Sequence, residues 1–145
     1  MNTTLEQIAS PKVESLIADY HTCIDQNEQA RIISILAELG DDLAIDLLVD
    51  VVGVEVANHC QGNVRRVAAR GLEKMVISTT DSEKRQKAID KLSWALLNAE
   101  DWALRYAAAV SLGAIATVEI NTILYQAMTQ ESDRVVKERI QMILK

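Results

Sequence analysis

Asn58, His59, Cys60, Gln61, Gly62 and Asn63 stand consecutively in this chain, and they include one of its two histidines and one of its two cysteines. A thiolate is a nucleophile, and its reactivity depends on how readily the thiol gives up its proton. An imidazole titrates near neutral pH and can carry that proton. A cysteine beside a histidine in an irregular segment therefore offers a nucleophile and a proton shuttle to one ligand. Arg65, Arg66 and Arg70 follow directly. Their guanidiniums are suited to hold anionic groups by charge-assisted hydrogen bonds.

Other chemistries have less behind them. His21 and Cys23, added to His59 and Cys60, make four zinc-type side chains. His21 and Cys23 sit two apart on an expected helix and face different directions. No Cys-x-x-Cys spacing accompanies them, so no metal site is expected. The sequence has no Walker loop, no dinucleotide glycine motif and no nucleophile elbow. Asp41-Asp42 lies at a turn and reads as helix capping.

The elements that must position the His59-Cys60 segment are helices. Proline occurs once and glycine five times in 145 residues, too few breakers for a many-turned sheet protein. The chain also repeats itself. Val64, Ala68, Leu72 and Met75 match Leu104, Ala108, Leu112 and Ile115. Steps of four, four and three place each set on one helix stripe. Val136, Ile140 and Leu144 continue the pattern, and Ile32, Ile33, Leu36 and Leu39, closed by Gly40-Asp41, form an earlier copy. A further helix precedes each stripe. The first is expected to begin at Ser10-Pro11, serine as N-cap and proline as first helical residue, and to run to about Asp25. The others span about Asp42 to Val52, Asp81 to Asn98 and Val118 to Thr129, with capping-box spacing at Thr80 to Glu83. The expected architecture is all-α: one domain over residues 1–145, an α-solenoid of about four antiparallel helix pairs. Ala107, Ala108 and Ala109 allow neighbouring helices to approach closely. Residues 52–63 are long for a turn within such a pair, and Asn63 is expected to cap the helix that follows.

Val67-Ala68-Ala69-Arg70-Gly71-Leu72 and Ala107-Ala108-Ala109-Val110-Ser111-Leu112-Gly113 resemble the HEAT-like repeat of phycobilin lyases. Leu104 through Gly113 matches the apolar-Arg-x-x-Ala-Ala-x-x-Leu-Gly pattern of that family's second helix at every fixed position. Asn58 through Asn63 resembles the isomerase motif of the F-type subunit of phycoerythrocyanin α-subunit lyase–isomerases; Ala57 precedes it where the family carries tyrosine. The resemblance implies an enzyme subunit that helps attach phycocyanobilin to a phycobiliprotein α-subunit cysteine and isomerises it to bound phycoviolobilin. It implies a heterodimer with an E-type HEAT-repeat subunit. The bilin is substrate, and no resident cofactor is expected. Bilins are electrophilic at the C10 methine bridge, so the resemblance makes Cys60 the nucleophile and His59 the proton shuttle. Asn58, Gln61, Asn63, Arg65, Arg66 and Arg70 become substrate-binding candidates, the arginines facing the anionic propionates.

The residues themselves leave alternatives open. Cys60 reads equally as a small buried hydrophobe. Arg65 shares its repeat position with Arg105, which favours a structural role for both. Arg66 and Arg70 read as a solvated face, and Trp94 and Trp102 as packing around one turn. The whole chain then becomes a non-catalytic HEAT-repeat adaptor or bilin chaperone in phycobilisome assembly or turnover. The net charge of −6 argues against nucleic acid as a partner. No apolar run approaches the roughly 20 residues that span a bilayer. Met1 to Ser10 lacks the charged and apolar regions of a signal peptide, so a cytoplasmic protein with free thiols is expected. The last helix, about Asp133 to Lys145, carries Val135, Val136, Ile140, Met142, Ile143 and Leu144. These cover more than one stripe, and the terminal pairs are expected to dock the E-type subunit.

Overall fold

The computed structural model describes residues 3–54 and 62–145. Among the described residues there are eight α-helices and no strand: α1 Thr3–Thr22, α2 Gln26–Leu39, α3 Ile45–Gly53, α4 Gly62–Ser78, α5 Ser82–Asn98, α6 Trp102–Ile115, α7 Val118–Gln130 and α8 Arg134–Leu144. A single 3-10 turn, Asp42–Ala44, leads into α3.

Aspartate starts four of these α-helices, because a carboxylate accepts from backbone N–H groups that have no partner in the first turn. Asp25, Asp81, Asp101 and Asp133 cap α2, α5, α6 and α8, and Thr117 caps α7 through the N–H of Ile120. Asp41 caps the 3-10 turn, with Leu43 N donating to Oδ1 at 2.9 Å. At the far end of α2, Gly40 takes the left-handed conformation (φ 68°), and its N–H donates to the Leu36 carbonyl.

The helices form two layers. In one, α2 packs on α4, α4 on α6 and α6 on α8; in the other, α3 packs on α5 and α5 on α7. The stripes read from the sequence face the space between layers. Val64, Ala68, Leu72 and Met75 are buried, as are Leu104, Ala108 and Leu112, while Ile115 packs partly buried at the end of its stripe. Buried Ala107, Ala108 and Ala109 bring α6 close to α4, close enough for Ser111 Oγ to donate to the Ala69 carbonyl at 3.1 Å. The start of α4 and the α5–α6 turn share one edge of the array. A Cβ placed on Gly62, where α4 begins, would stand 3.4 Å from Asp101 Oδ2 in the α5–α6 turn. The connections between pairs share the other edge, where Gly40 lies beside Ser78 Oγ.

Three helix starts or caps and one stripe position differ in detail from expectation. α1 begins at Thr3 and passes through Ser10-Pro11. A serine–proline pair is a good start signal but does not forbid helix before it; an interior proline forfeits one backbone hydrogen bond. The cap of α5 is Asp81, not Thr80, because the Asp81 carboxylate reaches the N–H groups of Glu83 and Lys84. Asn63 lies inside α4, whose first residue is Gly62. Leu39, read as the end of the first stripe, is exposed, because Gly40 turns the chain away there. No helix among the described residues is long and apolar enough to cross a membrane.

Candidate functional site

Residues 55–61 connect α3 to α4 in the sequence and lie outside the described residues, Asn58, His59, Cys60 and Gln61 among them. The residues on either side of them lie beside the next helix pair. On the α3 side, a Cβ on Gly53 would stand 3.0 Å from Lys91 Nζ of α5, and Lys91 lies 5.0 Å over the Trp94 ring. On the α4 side stands Asp101. Two charged side chains of the next helix pair therefore flank the points where the segment departs and returns.

α4 sorts the candidate arginines by its own periodicity. Arg65 is one residue from the core position Val64, and it turns inward. It is 6% exposed, and its Nε and Nη2 donate to the Val52 carbonyl at 3.1 and 2.7 Å. The guanidinium thereby ties down the carbonyl end of α3, where a helix leaves acceptors without partners. Arg105 does the same one repeat later. Its Nη1 donates to the carbonyls of Ala99 and Glu100, both at 2.9 Å, and its Nε and Nη2 hold the nearly buried carboxylate of Glu131.

Asn63, Arg66 and Arg70 lie on a different face of α4 and come together along a groove of about 550 Å³ against α2. That size falls within the range of small-molecule clefts. Ser34 and Ala37 of α2 and Gly71 of α4 form small side-chain surfaces along it. A Cβ on Gly71 would meet Ala37 Cβ and Leu48 Cδ2 at 3.0 Å, so the absent side chain lets the two helices meet beneath the groove.

Sequence reasoning missed three charged residues there. Lys74 continues the line of Arg66 and Arg70, one helical turn further along, and pairs with Glu38 across the groove. That pairing holds the Glu38 carboxyl below the usual carboxylate range, chiefly through the hydrogen bond from Lys74. Glu73 Oε1 lies 3.3 Å from Arg70 Nη2; it is buried and accepts no aligned hydrogen bond among the described residues. The spacing of residues 66, 70 and 74 was visible in the sequence. The opposition of Glu38 was not, because it depends on how α2 lies against α4. Of the two tryptophans, Trp94 packs partly buried against the core, and Trp102 is 47% exposed.

Residues 53–145 match the family model for HEAT repeats. Over 140 residues, 97% of this chain, the sequence is 53% identical to a bilin biosynthesis protein PecF from Nostoc sp. PCC 7120 and covers 81% of it. It is 52% identical, over the same share of this chain, to a bilin biosynthesis protein PecF from Mastigocladus laminosus. The chain spans about two thirds of that relative, 66% of its length. Among solved structures, it is similar to the complex of CpcE and CpcF of phycocyanin lyase from Nostoc sp. PCC 7120. The TM-score is 0.77 at 25% identity, with 99% of this chain and 86% of that chain covered. The fold and the repeats define a HEAT-repeat protein. Within that class, the chain belongs to the family of the bilin biosynthesis proteins PecF.

Proposed function

We propose that this chain is one subunit of a bilin lyase–isomerase that attaches phycocyanobilin to a phycobiliprotein α-subunit cysteine and shifts a double bond to give bound phycoviolobilin. The observation that carries this reading is the 53% identity, spread over 97% of the chain, to a bilin biosynthesis protein. The bilin is the substrate, no resident cofactor is invoked, and the reaction is placed in the cytoplasm.

Cys60 and His59 are the proposed reacting groups. The Cys60 thiolate adds to C10, forming a C–S bond while the methine π pair moves to a ring nitrogen, which takes up a proton. With conjugation interrupted, His59 removes a proton from one carbon and a proton is returned at another, which moves the double bond. Loss of the ring-nitrogen proton and expulsion of the thiolate restore conjugation at C10. The acceptor cysteine adds its S–H across a carbon–carbon double bond. Neither step consumes an oxidant or a reductant. Asn58, Gln61 and Asn63 serve as polar contacts to the bilin.

The E-type partner is proposed to dock on the α7–α8 pair. Tyr125, Val135 and Met142 are at least half exposed there. Tyr125, Met128 and Met142 also line a groove of about 630 Å³. Adaptable methionines and a tyrosine suit an interface.

The test is reconstitution of the chain with an E-type subunit, phycocyanobilin and a phycobiliprotein α subunit. A coloured, covalently modified α subunit with the violobilin spectrum is expected. Cys60→Ser should abolish the double-bond shift with helicity unchanged. An α subunit that stays uncoloured would overturn the reading, and undiminished violobilin from the variant would remove the nucleophile role.

A further inference from the structure

We infer that the α2–α4 groove is a seat for a ligand carrying two carboxylates, and that Glu38 and Glu73 are built-in counter-ions which the ligand must displace. The inference rests on the proposed bilin reading for the identity of that ligand, the paired propionates of a linear tetrapyrrole.

Charge comes first. The chain as a whole is acidic, at −6. Yet this groove is lined by three cations, Arg66, Arg70 and Lys74, against two carboxylates. Residues four apart on a helix lie on one face, about 6 Å apart along its axis. Successive cations at that spacing match two carboxylates borne on short flexible arms. Ser34, Ala37 and Gly71 keep the lining low between them, so a flat ring system can approach the helices.

The counter-ions then set the order of affinity. Lys74 is paired with Glu38, and Arg70 with Glu73. Arg66 has no carboxylate within ion-pair distance among the described residues. It is the point of first contact for an anion. The second carboxylate reaches Arg70 or Lys74 only by exchanging with a glutamate. Glu73 Oε1 is buried beside Arg70 without an aligned donor among the described residues, so that exchange breaks no aligned hydrogen bond. An anion-binding groove would ordinarily be weakened by losing polar residues from its lining. This arrangement requires the opposite sign at positions 38 and 73.

The experiment is an absorption titration of the full chain with free phycocyanobilin and, separately, with its dimethyl ester. Glu38→Gln and Glu73→Gln should each tighten binding of the free acid about two- to fivefold, the range of an exposed ion pair. Arg66→Gln should weaken it about tenfold, as for one charge-assisted hydrogen bond. Binding of the ester should respond to none of the three. Circular dichroism on each variant controls for folding, and Lys74→Gln is a second cation variant, expected to weaken the free acid alone. Glutamine variants that bind the acid unchanged or more weakly, an ester that responds like the acid, or no saturable binding would each overturn the inference. If the groove instead takes an acidic protein segment, free bilin will be insensitive to all four variants, which also overturns it. Bilin transfer with an E-type subunit, measured in parallel, separates the two readings. Transfer without the predicted titrations removes the clamp and leaves the lyase. The predicted titrations without transfer remove the lyase and leave the clamp.

Discussion

Arg65 donates two hydrogen bonds to the carbonyl of Val52, at 3.1 and 2.7 Å, and does so in the protein interior. Val52 stands in the last turn of α3, just before the chain departs toward Cys60. A residue that follows the segment in sequence thus anchors the backbone that precedes it. Hydrogen bonds to a charged donor contribute about 1.5–3 kcal/mol. Arg65→Met should therefore lower unfolding free energy by about 2 kcal/mol, measured by urea denaturation. Arg65→Lys should recover only part of this, because an ammonium lacks the planar fork. A change within error would show that the carbonyl is equally well served without it.

The matching arginine of the next repeat has a carboxylate partner. Arg105 and Glu131 meet through two guanidinium nitrogens, with side chains 16% and 3% exposed. Removing one member leaves the other's charge without its partner in a poorly solvated place. Glu131→Ala should cost about 3 kcal/mol. The double variant with Arg105→Ala should be less destabilised than the sum of the singles, and a double-mutant cycle reads this directly.

At Gly113 of α6 the side chain of Ile143 from α8 packs directly over the backbone. A Cβ there would stand 2.8 Å from Ile143 Cγ2 and 2.9 Å from its Cδ1. Gly113→Ala should destabilise by about 1–3 kcal/mol through overpacking, despite the better helix propensity of alanine. Adding Ile143→Ala should make the glycine substitution less costly, which thermal denaturation of the four proteins would show.

Ala116 ends α6 in the left-handed region, φ 56° and ψ 49°, with its N–H donating to the Leu112 carbonyl. Glycine takes that conformation without steric cost. Ala116→Gly should raise stability by about 0.5–1 kcal/mol, net of the extra freedom glycine has when unfolded. A lower melting temperature would contradict the strain.

One ion pair between neighbouring helices of a single layer, α3 and α5, should show its signature in pH. Lys87 Nζ lies 2.8 Å from Asp46 Oδ1. The hydrogen bond from Lys87 lowers the Asp46 carboxyl from its ordinary value, and the same bond raises the Lys87 ammonium. The contribution of a lowered carboxyl is present above its unfolded value and is lost as pH falls through the folded one. That of a raised ammonium is present below its unfolded value and is lost as pH rises through the folded one. The stability difference between the protein and Asp46→Asn should hence stay flat across neutral pH. It should shrink below the ordinary carboxylate range and again on the alkaline side of the ordinary lysine value. A difference that changes across neutral pH would point to another group.

The stripes Val64 to Met75 and Leu104 to Ile115 determined the helices and the repeat by themselves, because burial along a helix recurs with the helix's own period. Gly40 and Asp41 marked an end and a start just as directly, since capping is local chemistry. The Asn58 to Asn63 run and the Arg66–Arg70 spacing likewise stand in the sequence without any fold. Whether Arg65 and Arg66, adjacent in the chain, share a task was beyond the sequence. α4 turns one into the core against Val52 and the other into a groove, about 100° apart around a helix axis. Glu38 opposite Lys74, Asp101 beside Gly62 and Lys91 beside Gly53 were beyond it too. These are contacts between different repeats, and their partners follow from how each helix pair is stacked and rotated on the next. That stacking is set by the fit of small residues such as Gly71, Ala108 and Gly113 against neighbouring helices, and only the tertiary structure decides it.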